Sequence, residues 1–200
     1  LVINTPANPT GAVYPAETVA ALVDVAREHD LYVLSDEAYE KLAFGVEHVS
    51  PARYDDDGRV VTAFSFSKSY AMTGWRVGYA VAPERIARLM IQLQEPYYSC
   101  APSVSQKAAE AALSGPQDAL HQMVAAYAER QRIVLDTLSP DGYVTYTPQG
   151  AFYVLVNIRE TGLGSYDFAT ACLEETHVAV APGATFGDGA DGWVRISTAT

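Results

Sequence analysis

Three short apolar segments, each followed closely by polar residues, constrain the fold of this chain more than any other feature. They cover residues 1–4, 31–35 and 59–66 and have the length of buried β-strands. Between the first two, residues 15–28 carry apolar side chains at helical spacing, with Pro15 near the start, where a missing N–H costs nothing. A strand, a helix and a strand in succession indicate a parallel βαβ unit. The sequence therefore predicts an α/β fold.

Polar clusters follow these predicted strands at residues 8–11, 35–39 and 65–69. In an open α/β sheet, ligands bind in the crevice at the carboxyl ends of the strands, where these clusters fall. The third cluster contains Lys68, one of three lysines in the chain. A lysine at the end of a buried strand is a candidate Schiff-base amine, because burial lowers its pKa and frees the nitrogen lone pair. The alternative from this stretch alone is an ordinary solvated lysine.

Donors suited to a phosphate group surround Lys68 in the sequence. Ser65 and Ser67 precede it and Arg76 follows eight positions later. Hydroxyl and guanidinium groups are the side chains that typically hold phosphate oxygens. In contrast, we interpret Glu37 and Glu40 as solvated side chains, and the acidic run at residues 55–57 as an exposed loop that has no metal-ligand spacing.

The second half of the chain is predicted to be helical at first and then mixed. The predicted helices cover residues 83–94, 102–113, 117–138 and 166–175, and the predicted strands cover residues 143–146, 151–156, 178–180 and 193–196. We predict that residues 1–128 belong to one domain and residues 129–200 to a small α+β domain. In the last strand Arg195 lies among apolar residues, where an arginine needs either a structural ion pair or a ligand.

Composition excludes several classes of partner. The net charge of −11 and the absence of a basic cluster argue against a nucleic-acid surface. No signal peptide or membrane-spanning segment is visible in the sequence. Cys100 and Cys172 fit no metal or redox spacing, so we expect buried free thiols in a reducing, cytoplasmic compartment.

As an ordered set, these motifs resemble those of the fold-type I pyridoxal-phosphate enzymes, and specifically the class I/II aminotransferases related to aspartate aminotransferase. The set is Asn-Pro-Thr-Gly, Asp-x-x-Tyr, Ser-x-Ser-Lys, an arginine and a late arginine, and the resemblance runs over essentially all 200 residues. It implies part of a three-layer αβα large domain followed by a small, incomplete α+β domain. It also implies pyridoxal 5′-phosphate as cofactor, amino acid and 2-oxo acid substrates, and a homodimer with its sites at the subunit interface.

The resemblance also implies a role for each motif residue. Lys68 would form the Schiff base with the cofactor and later move a proton as general base and acid. Asp36 would keep the pyridine nitrogen protonated. The remaining expected contacts are Asn8 and Tyr39 to the phenolic oxygen, Ser65 and Arg76 to the phosphate with Ser67 a weaker candidate, and Arg195 to the substrate α-carboxylate.

Three alternatives remain open at this point. A carbon–sulfur β-lyase would use every one of these residues, and an aminotransferase-like sensor domain of a transcription regulator would share the scaffold. A degenerate structural homologue is the third, which the intact motif set disfavours. The resemblance further implies a portion of comparable length before Leu1 and a short helix after Thr200. We therefore expect a fragment that alone neither holds the cofactor tightly nor turns over.

Overall fold

A computed structural model describes residues 1–199 of the chain as two compact units. The first unit comprises Leu1–Pro6 and Val13–Val124, and the second comprises Ala7–Ala12 and the residues from Ala125 onward. One long helix, α5 (Asp118–Leu138), contributes residues to both. No helix within residues 1–199 is both long and apolar enough to cross a membrane.

The first unit is built on a four-stranded sheet in the order β1-β2-β3-β4. The strands are β1 (Val2–Asn4), β2 (Val33–Asp36), β3 (Val60–Ser65) and β4 (Gly78–Val81). The first three are parallel to one another, and β4 is antiparallel to β3. This arrangement confirms the predicted parallel βαβ unit and the α/β class.

Helices complete the first unit. They are α1 (Ala16–Glu28), the single-turn α2 (Phe66–Ser69), α3 (Glu84–Tyr98) and α4 (Ser103–Ser114). The core under the sheet contains Ile3, Ala26, Val33 and Val60, so it joins α1 to the first three strands. A second cluster of Phe66, Met72 and Ala109 joins α2 to α4. The first cluster packs the amino ends of β2 and β3, and the second anchors the turn that directly follows β3.

Up to residue 199, the second unit contains a three-stranded antiparallel sheet in the order β5-β7-β6, one further α-helix and short 3₁₀ helices. Its elements after α5 are β5 (Tyr153–Asn157), α6 (Ser165–Thr176), β6 (Ala181–Pro182) and β7 (Trp193–Ser197). Because β7 is the central strand, Arg195 pairs with Leu155 on one side and with Ala181 on the other.

Two strand predictions in this unit are wrong. Residues 143–146 form no strand, because Tyr143 makes one backbone bond to the Asn157 N–H (2.7 Å), and the Tyr146 hydroxyl bonds the Thr10 carbonyl instead. Residues 178–180 are also not a strand, since His177 ends α6 in a left-handed conformation (φ 61°) and pairing with β7 begins only at Ala181.

The cysteines also differ from expectation. Cys100 is exposed in the segment between α3 and α4, and Cys172 is only half-buried on α6. Both remain free thiols, as predicted, but neither is a buried one. Burial of the two cysteines was a wrong prediction because it followed from the residue type alone, and cysteine is often buried. The sequence does not show where in the fold each cysteine lies.

Candidate active site

Asp36 ends β2 on the exposed face of the sheet. Its carboxylate accepts a hydrogen bond from the Ala38 N–H (Oδ1 to N, 3.2 Å), and its carbonyl accepts one from Asn4 Nδ2 (3.2 Å). In the neighbouring strand Asp36 pairs with Ala63. Ser65 is two residues further along that strand and so lies on the same face as Ala63 and Asp36. The sheet therefore brings a carboxylate and a hydroxyl group to one face.

Lys68 lies on α2, immediately after β3. Phe66 and Ser69 are buried at 3% and 1% exposure, and Phe66 packs against Ala109 of α4. Ser67 and Lys68 lie between these two anchors in the sequence and are half-buried. The Ser65 hydroxyl caps the turn by accepting the Ser67 N–H (3.2 Å). The cap and the anchors fix the turn that carries Lys68.

Thr73 connects Arg76 to this turn. The Thr73 hydroxyl donates to the Ser67 carbonyl (2.9 Å), and the Thr73 carbonyl accepts from Arg76 Nη1 (3.0 Å). Arg76 is exposed, and its backbone is left-handed (φ 50°). The first unit thus places Ser65, Ser67, Lys68 and Arg76 in one connected segment at the end of β3.

Tyr39 lies in the chain that follows β2. It is 5% exposed, and its carbonyl accepts the Leu42 N–H (2.8 Å) within a hydrogen-bonded turn. Leu42 is itself fully buried at 0% exposure. Packing of this turn therefore holds Tyr39, three residues after Asp36, in a fixed position in the first unit.

Glu37 is one of two glutamates for which the predicted solvent exposure is wrong. It was expected to be solvated, but it is 1% exposed. Its Oε1 accepts from the Ser35 and Ser50 hydroxyls (2.9 and 2.6 Å), and its Oε2 lies 2.8 Å from His48 Nε2. Burial raises the pKa of Glu37, but the hydrogen bonds from His48, Ser50 and Ser35 outweigh it, so the pKa is lowered overall. One sequence signal could have predicted the burial of Glu37. It is the alternation of buried and exposed residues along β2, if it is continued one residue past the end of the strand.

Glu40 also departs from the expectation of a solvated side chain. Its side chain is 17% exposed and lies 3.1 Å from Lys41 Nζ. Burial raises the pKa of the Glu40 carboxyl, and the neighbouring Lys41 ammonium lowers it less than burial raises it. In the acidic run, Asp56 and Asp57 are exposed as expected, whereas Asp55 is half-buried and its carboxylate accepts the N–H groups of Arg59 and Val60 (2.9 and 3.0 Å).

Arg195 is held tightly within the second unit. Its guanidinium carbon lies 4.1 Å from the centre of the Tyr153 ring and 4.8 Å from that of Phe186. Its Nη1 donates to Asn8 Oδ1 (2.7 Å). Its Nε is buried and has no hydrogen-bond partner among residues 1–199. The structure therefore brings together Asn8 and Arg195, which are 187 positions apart in the sequence.

The loop that carries Asn8 is fixed by backbone contacts in the same unit. The Gly11 N–H donates to the Ala7 carbonyl (2.8 Å), and the Gly11 carbonyl accepts from the N–H groups of Gln149 and Gly150 (2.8 and 2.9 Å). Gly11 has a φ of +69°, and a Cβ there would lie 2.5 Å from Pro148 Cβ. Only glycine fits this position, so the glycine of the Asn-Pro-Thr-Gly motif is a structural requirement of the loop.

The similarity of this chain to known proteins agrees with these observations. The family model described as aminotransferase class I and II matches residues 1–200. The chain is 43% identical to an aspartate aminotransferase of Geobacillus stearothermophilus, covering 100% of this chain and 53% of that protein. It is 41% identical to aromatic-amino-acid aminotransferase 2 of Thermococcus litoralis, covering 100% of this chain and 52% of that protein.

Solved structures extend this similarity to the fold. The crystal structure of an aromatic aminotransferase from Pyrococcus horikoshii matches with a TM-score of 0.95 at 41% identity, over 100% of this chain and 55% of that one. The chain spans about half the length of the curated relatives it matches. The aminotransferase fold that the motifs implied is confirmed by this match. The chain belongs to the class I and II aminotransferase family.

Proposed function

We propose that the protein containing this chain is a pyridoxal-phosphate-dependent aminotransferase that moves an amino group from an L-amino acid to a 2-oxo acid. The observation that carries the proposal is Arg195, whose buried Nε lacks a partner while the guanidinium is fixed between two rings. An unpaired buried donor is costly, and a bidentate carboxylate ligand would satisfy it. Every substrate of this reaction carries such a carboxylate next to the reacting carbon.

The residues of the first unit fit pyridoxal phosphate by their chemistry. Along one connected segment and the adjacent strand end they provide an amine, a carboxylate, two hydroxyl groups and a guanidinium. When bound, this cofactor supplies an electron-accepting ring that weakens the bonds to the substrate α-carbon. Lys68 would hold the cofactor through Nζ, and Asp36 would keep a proton on its ring nitrogen.

The other site residues would bind and orient. Ser65 and Arg76, with Ser67, would bind the phosphate group. Asn8 and Tyr39 would bond the phenolic oxygen, and Arg195 would bind the substrate α-carboxylate. The Lys68 amine would act on the substrate α-proton. That amine would then move the proton from the α-carbon, which is general base and acid catalysis by one group.

The domain organisation and assembly belong to the same proposal. Residues 1–128 would form part of the cofactor-binding large domain and residues 129–200 the small domain. The division of the chain into two compact units near residue 124 supports this boundary, whereas Ala7–Ala12 fall in the second unit. We also propose a cytoplasmic homodimer. The names of relatives make aspartate and aromatic amino acids the first donors to test.

Product analysis on the complete gene product tests the reaction. The protein is incubated with pyridoxal phosphate, an amino acid and a 2-oxo acid, and a Lys68→Ala variant serves as control. Equal amounts of a new amino acid and a new 2-oxo acid are expected, and none from the variant. Ammonia with a 2-oxo acid, from a substrate with a sulfur leaving group, would instead indicate the β-lyase. Neither product from any donor would contradict the proposal.

A further inference from the structure

Glu37 and Asp36 are adjacent carboxylates on opposite faces of the sheet. Asp36 is exposed, and its carboxylate is held by the local bond from the Ala38 N–H. Glu37 is buried, and its own N–H extends the ladder by donating to the Ala63 carbonyl (2.9 Å). Because neighbouring side chains in a strand point to opposite faces, the position of Glu37 decides which face Asp36 occupies.

Three donors hold the Glu37 carboxylate in the buried position. The Ser35 and Ser50 hydroxyls both bond Oε1, and His48 Nε2 lies against Oε2. The His48 side chain is itself only 9% exposed. Turning Glu37 outward would break all three contacts and leave the His48 Nε2 atom, on a side chain that is only 9% exposed, without this partner, which is costly. The cluster therefore resists a rotation of the strand end that would move Asp36 away from the exposed face of the sheet.

The same cluster closes the loop on which Tyr39 lies. His48 and Ser50 stand 11 and 13 residues after Glu37, so their bonds tie the far end of this segment back to its start. Ser50 also accepts the Ala52 N–H (3.3 Å) and caps the short 3₁₀ helix Pro51–Tyr54. Tyr39, buried inside the closed segment, depends on this closure for its position.

We infer that Glu37, held by His48 and Ser50, is a positioning residue that orients Asp36 and Tyr39 toward the cofactor. The inference deepens the proposed function and rests on it. Glu37 touches neither cofactor nor substrate in this account. It acts by fixing the strand end whose carboxylate bonds the cofactor ring nitrogen and the loop whose phenol bonds the cofactor oxygen.

The test uses the complete gene product and pyridoxal phosphate labelled with ¹⁵N at the ring nitrogen. Glu37→Gln removes the charge, His48→Leu removes the donor, and His48→Gln restores a donor near the Nε2 position. Glu47→Gln is the matched control, since Glu47 is an exposed glutamate in the same loop. Three quantities are measured for each protein: the cofactor dissociation constant, the ring-nitrogen chemical shift and the thermal midpoint of the apo form.

Glu37→Gln and His48→Leu are expected to raise the cofactor dissociation constant about tenfold, the cost of one lost charge-assisted bond. Their ring-nitrogen signal should move toward that of the unprotonated ring. His48→Gln should recover most of both effects, and Glu47→Gln should match the wild type. If Glu37→Gln does not fold, His48→Leu and the milder Ser50→Ala are compared in its place.

Two different failures can be told apart. Folded variants with a lower thermal midpoint but wild-type cofactor affinity and ring-nitrogen signal would show a purely structural role and overturn this inference alone. Borohydride reduction of the wild type in the presence of cofactor tests the second kind of failure, that of the proposed function itself. If it leaves Lys68 unmodified, the proposed function fails and this inference fails with it.

Discussion

Arg76 in the first unit and Arg195 in the second are held in place by different means. Arg76 is exposed and donates to the carbonyl of Thr73, three residues away. Arg195 lies between two aromatic rings and donates to an asparagine 187 positions away. Both are expected to bind anions, one the phosphate of a resident cofactor and the other the carboxylate of a transient substrate.

The difference has a physical reason. A cofactor that stays bound can itself order a loosely held side chain, because the ordering cost is met once. A substrate that binds and leaves at every turnover meets that cost each time unless the side chain is already fixed. The fixed arginine is therefore the one expected at the substrate position, and the more loosely held arginine is the one expected at the cofactor phosphate.

Removing Arg195 is expected to give the largest effect on the reaction. Arg195→Ala should lower the second-order rate constant for the amino-acid half-reaction by about 10²- to 10³-fold, the cost of truncating a buried charge pair. Arg195→Lys should recover only part of it, because an ammonium lacks the planar fork. Single-turnover spectroscopy of the cofactor-loaded protein measures this. A loss under about threefold for Arg195→Ala would mean that the carboxylate binds elsewhere.

The loop that positions Asn8 beside Arg195 gives the next test. Gly11→Ala adds a left-handed strain of about 1–2 kcal/mol to an overpacking cost of about 1–3 kcal/mol, and urea unfolding measures the sum. Gly142→Ala is the matched control, because Gly142 has a φ of +78° but nothing within 4 Å of the added Cβ. Gly142→Ala should therefore lower the free energy of unfolding by the left-handed strain alone. Equal losses for the two variants would contradict the close packing of Gly11 against Pro148.

Arg76→Ala is expected to act on cofactor binding alone. The loss of a hydrogen bond to a charged group costs about 1.5–3 kcal/mol, so the dissociation constant of pyridoxal phosphate should rise about 10- to 100-fold. The apo protein should keep its thermal midpoint, because an exposed side chain contributes little to stability. Fluorescence titration and thermal denaturation measure the two quantities. A destabilised apo form with unchanged affinity would assign Arg76 a structural role.

The smallest expected effect is on the pH dependence of stability. The pKa of Glu37 is lowered in the folded state. Ionised Glu37 therefore stabilises the fold fully above the unfolded-state pKa, and this stabilisation is lost as the pH falls through the folded-state pKa. Glu37→Gln should therefore flatten the fall in urea midpoint below about pH 4.5. Glu40 and Lys41 are present in both proteins, but the Glu37 charge contributes to the raised pKa of Glu40 and His48 loses its carboxylate partner in the variant, so the difference reports on the Glu37 cluster as a whole. Parallel profiles would contradict the assignment.

The sequence predicted the first unit better than the second. The parallel strands and the helix α1 followed from apolar periodicity, and Lys68 indeed lies directly after β3. The strand predicted at residues 143–146 failed because Tyr146 is used in a side-chain bond to the Thr10 carbonyl, a contact between distant parts of the chain. Periodicity reports only which face a residue occupies and carries no information about such a partner.

The same limit applies to the candidate site. Motif order was enough to select Asp36, Lys68 and Arg195, and their catalytic roles stay predictions. Glu37 was misplaced because its burial depends on His48 and Ser50, whose approach is a property of the folded loop. The aromatic rings around Arg195 could not be predicted either, since Tyr153 and Phe186 meet it only through the β5–β7 pairing and the chain after β6.

Borohydride reduction of the complete gene product with pyridoxal phosphate, followed by peptide mass analysis, tests the central claim most directly. We expect a stable cofactor adduct on the peptide that contains Lys68 and none there in Lys68→Ala. Lys41 and Lys107 are exposed and ion-paired, and they serve as internal controls that should stay unmodified. A Lys68 peptide that remains unmodified at saturating cofactor would contradict the assignment of this chain as part of a pyridoxal-phosphate enzyme.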